Sequence, residues 1–128
     1  MKLILLVVIL LLGACKHAVS AAPLLQTLPG PEQQYADGIE DMPLYPGFYS
    51  SDDESVSYDT SAGRIISLNY FHSNASAKDV RNYYELTLPQ LGWQKQQYQL
   101  YTRDGESLRI TVLQQQQGVR LKMRLGPV

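Results

Sequence analysis

At 128 residues, 45% hydrophobic and 18% charged, the chain has the composition of one ordinary folded domain once its apolar first residues are set aside. A formal net charge of −1 excludes a molecule-wide field calling for nucleic acid or anionic lipid. Cys15 is the only cysteine, so the domain has no internal disulfide and must hold by packing.

Lys2 supplies a short positive segment, and Leu3 to Leu12 form an unbroken apolar run. A membrane-spanning helix needs roughly twenty such residues, so the run has the length of a signal-peptide core rather than a permanent span. Leu12-Gly13-Ala14-Cys15 follows directly. This quartet resembles the lipobox of bacterial lipoproteins, in which an apolar residue and two small residues precede the cysteine that is modified. The resemblance implies recognition of Leu12, Gly13 and Ala14 by signal peptidase II and cleavage before Cys15. It also implies a diacylglyceryl thioether on the sulfur and a further acyl chain (commonly palmitate) on the new amine. Each buried CH₂ adds about 0.8 kcal/mol, and two chains already give stable anchoring. Val19-Ser20-Ala21 offers an ordinary cleavage site as the competing reading, which would release a soluble protein. Lys16 is not the aspartate that resembles an inner-membrane retention signal, so in a cell with two membranes the expectation is the outer one, facing the periplasm.

From Lys16 to about Asp41 no period of 2 or 3.6 is sustained, and Pro23, Pro29 and Pro31 interrupt the chain. It reads as a tether, with Leu24, Leu25 and Leu28 as an apolar exception. The expected organisation is therefore signal peptide 1–14, lipidated cysteine and flexible tether 15–42, and domain 43–128. Charge is divided along it. Glu32, Asp37, Glu40, Asp41, Asp52, Asp53, Glu54 and Asp59 lie between residues 31 and 60 without a Lys or Arg, and the later part is net basic. The simplest reading is that the two complement each other.

Met42-Pro43-Leu44-Tyr45-Pro46-Gly47 marks an extended entry and a turn. Val56 and Tyr58 give a short strand, Ser61-Ala62-Gly63 a turn, and Arg64 to His72 a second strand. Ser76 is placed as a helix N-cap, with Asp79 three residues on. Val80, Tyr84, Thr87, Leu88 and Leu91 make one apolar stripe. Gly92 stands as the left-handed stop, and Trp93 is expected to cover Leu88. Three strands then follow: Tyr98, Leu100 and Thr102 alternating; Leu108, Ile110 and Val112 after an Asp104-Gly105 hairpin turn; and Val119, Leu121, Met123 and Leu125. The expected fold is α+β, a single helix packed on an antiparallel sheet in the order ββαβββ.

Alternation then puts Arg109, Arg120, Lys122 and Arg124 on the face away from the helix. This basic row is the candidate partner-facing surface. Its readings are a solvated strand face, an acidic protein, phosphate-rich lipid headgroups, or the chain's own acidic segment; export argues against nucleic acid. No cluster with metal-ligand spacing accompanies His17 or His72. Ser73, Asp79 and His72 do not make a triad with a nucleophile elbow, and Asp52-Asp53-Glu54 lacks the spaced ligands of a calcium loop. Tyr35, Tyr45 and Tyr49 suggest an aromatic patch near the entry. No catalytic, metal or cofactor site is expected.

Tyr45-Pro46-Gly47, with Tyr83-Tyr84 four residues before Leu88-Pro89-Gln90-Leu91-Gly92-Trp93, resembles a small domain of uncharacterised proteobacterial envelope proteins and lipoproteins. That resemblance implies no activity. The architecture is also similar to the helix-on-sheet modules of accessory lipoproteins in outer-membrane barrel assembly, a likeness of fold alone. The expectation is a non-enzymatic envelope lipoprotein, held to the membrane by its lipid anchor, that binds an envelope protein. The alternative is a small-ligand or lipid-binding envelope module with its ligand between helix and sheet.

Overall fold

The structure is a computed structural model that describes residues 32–51 and 55–128. The leader, Leu12, Gly13, Ala14, Cys15, His17, the tether to residue 31, and Asp52-Asp53-Glu54 lie outside the described residues.

Among the described residues, seven strands and one helix follow in the order β1 (Tyr49–Ser50), β2 (Val56–Thr60), β3 (Gly63–His72), α1 (Ala77–Gln90), β4 (Gln94–Gln97), β5 (Leu100–Arg103), β6 (Glu106–Gln115) and β7 (Gly118–Pro127). They build one antiparallel sheet in the spatial order β1-β3-β7-β6-β5-β4, with β2 also paired to β3. β1 and β2 share the outer edge of β3, because β7 occupies its other side. A single helix on an antiparallel sheet is the expected α+β class. The order is not ββαβββ, since three strands precede the helix and four follow it.

The additional strands have a physical reason for being hard to read. β1 is two residues long, and β4 is the fully exposed run Gln-Lys-Gln-Gln. Edge strands without an apolar side show no alternation. Tyr98-Gln99 is the turn between β4 and β5, with Gln99 at φ 62°, rather than the start of a strand. The face of β5 is therefore the reverse of the expected one: Tyr101 is buried opposite Leu108, while Tyr98 is exposed. The next hairpin forms as its sequence demands, with Asp104 and Gly105 both at positive φ (49° and 78°) between the paired Arg103 and Glu106.

The helix buries Ala77, Val80, Tyr84 and Leu88. It stops in a full Schellman motif: Gly92 at φ 86° donates to the Pro89 carbonyl and Trp93 to the Leu88 carbonyl, both at 3.1 Å. Trp93 and Leu88 are both buried in the core. At the other end Ser76 has the extended backbone of an N-cap but makes no side-chain capping bond. Gln114 Oε1 of β6 accepts the Ala77 N–H instead, at 3.0 Å, so the free helix donor is satisfied from the sheet.

The core face of the sheet consists of Ile66, Leu68 and Tyr70 on β3, Val119, Leu121, Met123 and Leu125 on β7, Leu108, Ile110 and Val112 on β6, and Tyr101 on β5. The helix does not cover it alone. Ala36, Ile39, Met42, Leu44 and Phe48 are buried in the same core. The described part of the expected tether, residues 32–42, thus belongs to the domain. Two successive turns fold it, with the Ile39 N–H donating to the Ala36 carbonyl and Met42 to Ile39. This apolar spacing of three is neither a helix nor a strand pattern. Arg64 Nη1 donates to the Gly38 carbonyl at 2.9 Å, and Tyr70 Oη accepts the Asp37 N–H at 3.0 Å. Helix and entry strap together form the second layer.

Candidate functional site

Strand alternation that turns one set of side chains into the core turns the other set outward. Register groups the outward set into rows. Tyr49, Phe71, Arg120 and Leu113 lie side by side across β1, β3, β7 and β6. Asn69, Lys122 and Thr111 form the next row, and Val56, Ser67, Arg124, Arg109 and Leu100 the one after. Tyr58 and Ile65 continue the face beyond them. All four residues of the basic row therefore stand together on the side opposite the helix.

Arg109 and Arg124 are direct cross-strand partners. Like charges in that position destabilise a sheet by a few tenths of a kcal/mol, so this arrangement costs rather than contributes stability. Along β7 the cations alternate, about 7 Å apart. Among the described residues Arg109, Arg120 and Arg124 form no salt bridge. The acidic members of these strands, Asp59 and Glu106, have the opposite parity and face the other way. Ser67, Asn69 and Thr111 line a shallow trough of about 320 Å³ with Arg109, Lys122 and Arg124 around it. Beside it on the edge strands Tyr49, Val56 and Tyr58 are each about half exposed, and Tyr49 packs edge-on against Phe71 at 5.6 Å. Among the described residues the outward strand positions of this face carry cationic, hydroxyl, amide and aromatic side chains and no His, Cys, Asp or Glu.

The other ionisable candidates are occupied in holding the fold. His72 has both ring nitrogens engaged: Nε2 lies 3.0 Å from the Pro46 carbonyl, and Nδ1 accepts the Asn74 N–H at 3.0 Å. Its ring packs edge-on against Tyr45 and Phe48. Gly47 at φ 93° leaves no space beside it, since a Cβ there would stand 2.4 Å from His72 Nε2. Tyr84 Oη donates to the Pro43 carbonyl and accepts the Tyr45 N–H, and burial pushes its phenol far above the usual range. Tyr83 packs edge-on against both Tyr45 and Tyr84. Tyr45-Pro46-Gly47 and Tyr83-Tyr84 are thus two halves of one clasp that fastens the entry strap to helix and sheet. Tyr35 and Tyr49 are exposed as the entry patch implies, but Tyr45 is packed inward.

Arg103 makes the second fastening. It forks onto the Asp41 carboxylate at 2.5 and 3.0 Å, donates to the Leu91 carbonyl at 2.8 Å, and lies 4.4 Å over the Trp93 ring. The hydrogen bond from Arg103 lowers the Asp41 carboxyl below its usual range. Arg64 pairs with Glu106 at 2.7 Å and lowers that carboxyl in the same way. These pairs were not identifiable from the sequence, because they join residues 62 and 42 positions apart. Only the division of charge hinted at them. Among the described residues no group of three or more His, Cys, Asp or Glu converges on a metal position.

Comparison of the chain with protein-family models, curated proteins and solved structures finds no match.

Proposed function

We propose that the chain is an exported bacterial lipoprotein, cut before Cys15, acylated there, and held at a membrane of the cell envelope, where its domain is a non-enzymatic accessory module that binds an envelope protein. The observation that carries this reading is the placement of Leu12-Gly13-Ala14-Cys15 directly after a short apolar run with Lys2 before it. Lys16 favours the outer membrane, facing the periplasm. The test is intact-mass analysis of protein extracted from a bacterial host. The expected species begins at Cys15 and carries a diacylglyceryl group and an amide-linked acyl chain. A chain beginning at Met1, or one cut after Ala21 and released as soluble protein, overturns it.

Two features support a surface-binding module over a ligand carrier. A cleft between helix and sheet, lined by Arg81, Tyr84, Glu85, Tyr101, Ile110 and Val112, holds only about 20 Å³. Ligand pockets occupy roughly 300–1,000 Å³, so a small molecule there would have to part a packed core. The ionisable side chains of the clasp are already satisfied within the domain. In-cell crosslinking is expected to recover a protein partner, and native mass spectrometry to show no stoichiometric small ligand. A retained small ligand supports the alternative, and turnover of an envelope substrate that persists without the anchor overturns both.

A further inference from the structure

We infer that the entry strap, residues 32–48, is a latch loaded by the tether: pulled from the anchor, it leaves the fold first and as a unit, lengthening the tether while helix and sheet stay folded. This deepens the reading that Cys15 is acylated and the domain holds an envelope protein, and it rests on that reading, because those two attachments put the chain under tension. The first feature that leads to it is order along the chain. From Cys15 into the domain, the strap precedes every described strand and the helix. A pull between the anchor and a partner held on helix or sheet therefore enters the described fold at Glu32 and crosses the strap before it reaches β1.

The second feature is how the two parts of the covering layer divide the sheet. The helix makes its main sheet contacts with β6 and β4. The strap lies on the β3 side, where a Cβ on Gly38 would stand 3.2 Å from Ile66 Cδ1 and where Arg64, Tyr70 and His72 of β3 all bond to it. Its departure uncovers Ile66 and Tyr70 and leaves the helix seated on β6 and β4, with its Schellman stop intact.

The third is how the strap is fastened. Its β-bridge, Tyr35 to Pro43, joins it to itself rather than to the sheet. Its bonds to the rest of the domain run in chain order from Asp37 and Gly38, through Asp41 and Pro43, to Pro46, each made by a side chain of helix or sheet. Lifted from residue 32, these fail one after another, and bonds loaded singly yield at a lower force than bonds that share a load. β3 is held by a continuous register with β7 from Ile66–Leu125 to His72–Val119, and by β1 and β2 on its other side. Segments outside such ladders open at a lower free energy than core strands.

The test is single-molecule stretching of the full chain in detergent, with one DNA handle on the Cys15 thiol, the only thiol in the sequence, and another at the C-terminus. Strap opening is expected as a separate first event at lower force than the rest. It should lengthen the chain by about 60 Å at most, the extended length of residues 32–48, and a larger event for helix and sheet should follow. Tyr84→Phe removes the hydroxyl that holds Pro43 and Tyr45, and it should speed the first event at fixed force on the order of tenfold. Asp41→Asn should speed it a few-fold, and neither substitution should alter the length released. Asp41 stands at a partly exposed rim, so its variant keeps the test open should Tyr84→Phe fail to fold. Extension of the whole domain in a single event overturns the inference. So does a first event that both substitutions leave unmoved, or one whose length does not match the strap. Because the handle replaces the acyl chains, a failed latch shows in the stretching, whereas a failed anchor reading shows in the intact mass of protein extracted from cells.

Discussion

The two faces of this sheet are written in alternate residues of the same strands, and they are built to opposite ends. On β7, Val119, Leu121, Met123 and Leu125 are buried under helix and strap, while Arg120, Lys122 and Arg124 face outward. The closed face has its polar neighbours tied off by the clasp around Tyr84 and His72 and by the Arg103–Asp41 fork. The opposite face keeps Arg109 and Arg124 side by side at a cost in stability. A domain selected for stability alone would place an acidic or neutral residue opposite Arg109, so the difference separates the residues that hold the fold from those available for contact.

The sharpest way to break the comparison is to remove volume from the closed face. Leu121→Ala, at a position with no exposure, should cost about 2–5 kcal/mol, most of a small domain's stability. Urea unfolding reads this directly, and a loss under about 1 kcal/mol would mean that the core is looser than its burial implies. Tyr84→Phe tests the clasp. It deletes one hydroxyl that serves both the Pro43 carbonyl and the Tyr45 N–H. Leaving those groups unsatisfied should cost about 1–3 kcal/mol, and hydrogen exchange at the Tyr45 amide should rise.

The same division of labour decides what could be read from the sequence. Elements with a local cause were legible: the helix stripe, the Gly92–Trp93 stop, the Asp104-Gly105 turn, and the parity that sets Arg109, Arg120, Lys122 and Arg124 outward. Each rests on residues within a few positions of one another. The strap was not legible, because Ala36, Ile39 and Met42 recur every third residue through two turns and their partners lie across the fold. β4 was hidden for the opposite reason, having no apolar residue to betray it. His72 shows the limit for sites. Its bonds to Pro46 and Asn74 give it a structural role, and the nearest signal was the Tyr45-Pro46-Gly47 turn, whose glycine faces the ring.

A smaller effect is expected from pH. Asp41 and Glu106 have carboxyls held below their unfolded values by Arg103 and Arg64. A depressed carboxyl contributes stability that is fully present above its unfolded value and is lost as pH falls through its folded one. Stability from these pairs should therefore be flat above about pH 5 and decline below about pH 4. Both pairs are partly exposed, so solvent screening keeps each contribution near or under about 1 kcal/mol. Asp41→Asn should flatten part of the acid limb of the thermal midpoint against pH; an unchanged limb would assign the acid loss to other carboxyls.

The smallest predicted effect has the opposite sign, and it bears most closely on the contrast between faces. Arg109→Thr removes one member of the Arg109–Arg124 pair and leaves a β-branched residue beside Thr111 on the same strand face. Nothing in the core changes, and no described salt bridge is lost. The domain should gain up to about 0.5 kcal/mol in urea unfolding at low salt, because a cross-strand repulsion disappears. Raising the salt concentration should shrink the gain, since exposed charges more than about 10 Å apart are already screened at 0.1 M and closer ones follow. A clear destabilisation would show that Arg109 is satisfied within the fold and that its face is structural. A salt-sensitive gain would mean that the arginine is kept for something other than the stability of the domain.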